Sequence, residues 1–70
     1  MLGAAAIEEY QKALILESLL QGPQSVREIA AACGLPVYTI SQRLADVEKA
    51  GKAAFQGFEG NTPKFIRSGA

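Results

Sequence analysis

Seventy residues, 49% hydrophobic and 20% charged, suit one small folded domain rather than a disordered chain. One cysteine and no histidine exclude a disulfide framework, a Cys/His zinc site and His-based catalysis, so neither a metal nor another cofactor is expected. Seven basic residues against seven acidic ones leave no polybasic tail. The apolar start, Met1 to Ile7, runs directly into Glu8-Glu9; it lacks the basic flank of a signal peptide and the length of a membrane span. A soluble, cytoplasmic chain without a membrane partner is expected.

In chain order, Ala4 to Gln21 contains no internal Gly or Pro and is rich in strong helix formers, so a first helix is predicted, stopped by Gly22-Pro23. Ala13, Ile15, Leu16, Leu19 and Leu20 spread over one broad face of it, and Ile7, Tyr10 and Leu14 form a second. A helix this apolar on two sides is buried on two sides, and the second patch is assigned to another copy of the chain. Ser25-Val26-Arg27-Glu28 reads as a capping box that opens a short second helix. Val26, Ile29, Ala30 and Cys33 make its apolar stripe, which places the lone thiol in the core. Gly34 supplies the left-handed residue that ends it.

A third helix is predicted from Pro36 to Ala50, with Pro36 as its first residue and Gly51 as its C-cap. Val37, Ile40, Leu44 and Val47 face inward; Tyr38, Thr39, Gln42, Arg43 and Asp46 face outward. Ala53–Phe58 and Pro63–Arg67 then read as two strands joined by Glu59-Gly60-Asn61-Thr62, with Phe55 and Phe65 turned to the core. Ser68-Gly69-Ala70 is expected to fray.

Two short helices separated by a Gly-containing turn form a helix-turn-helix, here residues 25–50. The run from Val26-Arg27-Glu28-Ile29-Ala30 through Gly34-Leu35-Pro36 and Thr39-Ile40-Ser41-Gln42-Arg43-Leu44 to Gly51 resembles the core pattern of bacterial winged helix-turn-helix regulators. Val47 stands where that pattern usually has a second Leu. The resemblance implies an α+β fold, a small winged helix of three helices followed by a two-stranded hairpin wing at residues 53–67, with residues 1–70 as one domain. It also implies a sequence-specific, DNA-binding transcriptional regulator.

The side chains fit that expectation. An α-helix fills the major groove of double-stranded DNA, where Arg chelates guanine, Gln chelates adenine, and Tyr or Thr meets a phosphate or a thymine methyl. Tyr38, Thr39, Gln42 and Arg43 are therefore the candidate groove contacts; the resemblance implies that Ser41 lies nearer the backbone contacts, and Lys49, Lys52 and Lys64 are candidate phosphate partners. Residues 1–34 carry net −2 and residues 35–70 net +2, so the reading half is the positive half. Few phosphates can be neutralised, however, and Glu59 occupies the wing turn where a minor-groove probe would carry a base. A lone copy is expected to bind weakly, and a homodimer through Ile7, Tyr10 and Leu14 would double its contacts. Winged helices also serve as protein-binding modules, and zero net charge favours that alternative. No nucleophile–base pair or phosphate loop is present, so catalysis is not expected.

Overall fold

The computed structural model describes residues 3–69. Helix α1 spans Ala4–Ser18 and tightens into a 3-10 turn at Leu19–Gln21, where the chain turns toward Pro23. Helix α2 covers Val26–Cys33 and α3 covers Val37–Lys49. Strands β1 (Ala53–Glu59) and β2 (Thr62–Arg67) pair antiparallel. Three helices followed by a hairpin form a winged helix, as the sequence implied.

Each boundary has a local cause. The Ser25 hydroxyl accepts from the Glu28 amide at 3.1 Å, while the Ser25 amide donates to the Glu28 carboxylate at 2.9 Å. Both halves of the capping box are thus made. Gly34 closes α2 at φ 68°, a left-handed geometry in which a side chain would be strained. Pro36 stands one position earlier than expected: with ψ 148° it is the N-cap of α3, and helical geometry begins at Val37. At the far end Ala50 is the cap. Gly51 donates to the Glu48 carbonyl and Lys52 to the Val47 carbonyl, the two bonds of a Schellman motif.

The hairpin turn is shorter than the four residues predicted. Gly60 and Asn61 alone form it, with Gly60 at φ 64° and Asn61 at negative φ, the dihedral signs of a type II′ loop. Gln56 bulges between the Phe55↔Phe65 and Gly57↔Lys64 pairs. Gln24 adds a bridge on the outer edge of β2, exchanging both backbone hydrogen bonds with Phe65 at 2.8 and 2.9 Å. Ser68 does not fray: its amide donates to the Lys52 carbonyl at 2.9 Å, and its hydroxyl to the Gly51 carbonyl. Ala70 lies outside the described residues.

The core is Ile15, Leu19, Ile29, Ala30, Ile40, Leu44, Val47 and Ala53, with Leu16, Val26, Cys33, Leu35 and Phe65 packed against it. Every element therefore contributes to one apolar interior. Four sequence expectations change here, the first being that Val37, at the start of α3, is about half exposed rather than inward. Ala13 and Leu20 are exposed, because α1 is covered only along the Ile15–Leu19 line. Cys33 is half-buried rather than interior. Phe55 is about half exposed: its ring meets Phe65 edge-on at 5.8 Å, and Phe58 stacks beyond it at 5.3 Å. Phe65 reaches the core, whereas the rings on the outer strand do not. Among the described residues, no helix is long and apolar enough to cross a membrane.

Candidate nucleic-acid interface

The buried stripe of α3 consists of Ile40, Leu44 and Val47. At 100° per residue the opposite ridge carries Tyr38, Gln42 and Lys49, all exposed, with Tyr38 at 72%. Ser41 is exposed on one flank of that ridge. It lines a groove with Val37, the α2 N-terminal residues Ser25, Val26 and Arg27, and the wing residues Asn61, Thr62 and Pro63. The start of α2, the start of α3 and the tip of the wing thus converge on one side of the molecule. Arg27 is exposed there and has no ion pair among the described residues. Sequence reasoning passed over it because it sits inside the capping box. Its position, two residues after a helix cap and at the start of a helix-turn-helix, was the available signal.

Arg43 is not outward. Its side chain is only 13% exposed and turns toward α1, where Nη1 donates to Glu8 Oε2 at 2.6 Å and lies 3.2 Å from Asp46 Oδ2. One helical step past Gln42 rotates it toward α1, and its long stem covers the distance. Its Nε is buried without a hydrogen-bond partner. In this arrangement the guanidinium faces Glu8 and Asp46 rather than the open ridge. Thr39, on the same flank, is half-buried.

The lysines divide as well. Lys49 stays on the exposed ridge, about 16 Å of helix rise from Tyr38. Lys52 lines a separate depression with Glu9, Lys12, Ala13, Asp46 and Ala50, between α1 and the end of α3. Lys64 crosses to α2 and pairs with Glu28. That bond, with the Ser25 backbone bond next, lowers the Glu28 carboxyl from 4.5 to about 2. The same contact raises Lys64. Burial pushes the Cys33 thiol up, and the charge of Glu17 adds to the shift. Among the described residues no cluster of His, Cys, Asp or Glu can hold a metal ion.

Away from this face, Ile7 and Tyr10 remain exposed and Leu14 half-buried along one side of α1. Leu14 also borders a shallow groove with Glu17, Gln21, Ala32 and Cys33.

Residues 11–51, the end of the capping-box helix pair included, match the family model for bacterial regulatory proteins of the arsR family. The chain belongs to the ArsR family. Among solved structures it is similar to a homodimeric winged helix-turn-helix DNA-binding domain (fragment 1–100) from Mycobacterium bovis, described as a possible ArsR-family transcriptional regulator. Identity is 28% and the TM-score 0.78, over 93% of this chain and 59% of that one. This ArsR-family chain therefore spans 59% of the solved domain's length. No curated protein matches the sequence.

Proposed function

We propose that this ArsR-family chain is a sequence-specific transcriptional regulator that binds double-stranded DNA as a homodimer in the cytoplasm, acting by binding and not by catalysis. Residues 3–69 serve as one DNA-reading domain. The α3 ridge of Tyr38, Ser41 and Gln42 enters the major groove, and Arg27, Lys49 and the wing tip meet the backbone. The observation that carries this reading is the convergence of the exposed α3 face, Arg27 and the wing turn on one side. Membership of the arsR family and the similarity to a homodimeric DNA-binding domain support it. Ile7 and Tyr10 supply an apolar face for the second copy.

The test is an anisotropy titration of labelled duplex DNA at several salt concentrations. Two backbone cations per copy, Arg27 and Lys49, give a dimer about four phosphate contacts, so log K should fall with log salt at a slope of about −3 to −4. A flat response, or no binding at low salt, refutes the reading. The exposed Phe55–Phe58 pair then favours a protein-binding wing instead.

A further inference from the structure

A chain of side-chain contacts runs from α1 across the base of α3 to its outer ridge. Glu8 holds Arg43 Nη1, Arg43 Nη2 donates to Gln42 Oε1 at 3.2 Å, and Gln42 Nε2 donates to the Tyr38 hydroxyl at 2.9 Å. The middle link has a consequence for the amide. A guanidinium carries only donors, so the atom facing it must be the Gln42 oxygen. The amide nitrogen then faces Tyr38, whose oxygen accepts and whose own proton is left for an outside acceptor. Arg43 itself is fixed by Glu8 and Asp46 and cannot follow a rotating amide.

We infer that Arg43, anchored by Glu8, is a positioning residue that fixes the Gln42 amide so that Gln42 reads adenine. This rests on the DNA-binding reading above. An amide oxygen accepts twice and an amide nitrogen donates twice; each is used once inside the chain, which leaves one lone pair and one N–H on the exposed ridge. That pair complements the N6 donor and N7 acceptor of adenine in the major groove. Guanine offers two acceptors there, and its O6 would face the Gln42 oxygen. Without Arg43 the amide turns about its last torsion and presents donor and acceptor in either order, so discrimination falls while helix packing remains.

The experiment is enrichment of a randomised duplex library by the 70-residue chain and by its Gln42→Ala, Arg43→Lys, Glu8→Gln and Glu9→Gln variants, all checked for folding by circular dichroism. The wild type should favour adenine at one position by at least ~5-fold, and Gln42→Ala should remove that preference alone. Arg43→Lys retains the charge and an ion pair to Glu8 but lacks the fork that also holds Gln42, so the preference should fall below ~2-fold. Glu8→Gln should lower it too. Glu9→Gln, whose carboxylate pairs with Lys12 and not with Arg43, should leave it unchanged. Should both Arg43→Lys and Glu8→Gln fail to fold, nitrogen relaxation of the wild-type Gln42 side-chain amide decides: backbone-like rigidity supports the anchor, and free rotation overturns it. Adenine preference intact in folded Arg43→Lys, or a Gln42-dependent preference for another base, overturns the assignment while DNA binding stands. No enrichment of any sequence by the wild type removes both.

Discussion

Breaking the contact between α1 and α3 tests the structural role assigned to Arg43. In a double-mutant cycle, Glu8→Gln removes one charge, Arg43→Met removes the other while keeping an apolar stem of similar length, and the double variant removes both. Two unit charges about 4 Å apart at an effective dielectric of 20 attract by about 4 kcal/mol before desolvation. Arg43 is 13% exposed but Glu8 is 45% exposed, so water screens one partner and ordering its side chain costs entropy. The net coupling should be about 1 kcal/mol, at the upper end for exposed pairs and well below a sealed one. Asp46 still holds Arg43 when Glu8 is lost, which keeps the single Glu8 effect small. For a domain of this size 1 kcal/mol moves Tm by about 4–8 °C, so urea and thermal unfolding both resolve it. Additivity within about 0.3 kcal/mol would refute the pairing, and with it the structural part of Arg43's role.

Four further outcomes follow. Gly34→Ala forces a methyl-bearing residue to φ 68° and should lower stability by about 1 kcal/mol in urea melts, although nothing lies within 4 Å of the new carbon. Ile40→Val should cost about 0.5–1.5 kcal/mol because Ile40 is wholly buried; no measurable loss would show that the site collapses to fill the gap. The Glu28 carboxyl is depressed in the folded state, so its stabilising contribution is complete above pH 4.5 and disappears as pH falls toward about 2. Melts of wild type and Glu28→Gln should therefore differ at neutral pH and converge across that window. Tyr10→Glu, on the exposed side of α1, should leave the circular dichroism spectrum unchanged, shift sedimentation to the monomer and weaken DNA binding at least ~10-fold. A dimer that persists would move the second-copy face elsewhere.

The elements were legible because their signals are local. Ser25 and Glu28 are three residues apart, Gly34 directly follows α2 and Gly51 follows the Ala50 cap of α3, and the Ile40–Leu44–Val47 stripe repeats at helical period. What escaped depended on contacts between distant parts of the chain. Arg43 has the composition of a base-reading residue and the phase of a flank residue; its partner Glu8 is 35 positions away on another helix. Lys64 and Glu28 are 36 apart and meet only because the wing folds back on α2. Phe55 and Phe65 are cross-strand partners, yet of the two rings only that of Phe65 packs against the core, which β1 enters through Ala53 instead. Periodicity names the face of an element, but not which of two similar faces a neighbour covers.

Charge pairing also bears on why a second copy matters. Of the seven cations, Lys12, Arg43 and Lys64 are engaged by carboxylates of the same chain, and Arg27, Lys49, Lys52 and Arg67 have no ion pair among the described residues. Lys52 borders a groove shared with Glu9 and Asp46, and Arg67 sits opposite Ala53 at the end of the hairpin away from its turn, so Arg27 and Lys49 are the unpaired cations assigned to the proposed reading surface. Two counterions released per copy make a shallow salt dependence and weak nonspecific attraction. Discrimination then has to come from hydrogen bonds in the groove, which is where a fixed amide matters more than an added charge. Joining two such surfaces through α1 makes the second docking intramolecular, raising affinity without adding a cation to either copy. Under the proposed dimeric reading, neutrality and dimerisation become two sides of the same requirement: the internal ion pairs that hold α3 against α1, and the wing against α2, would leave attraction to DNA to be supplied by number of copies.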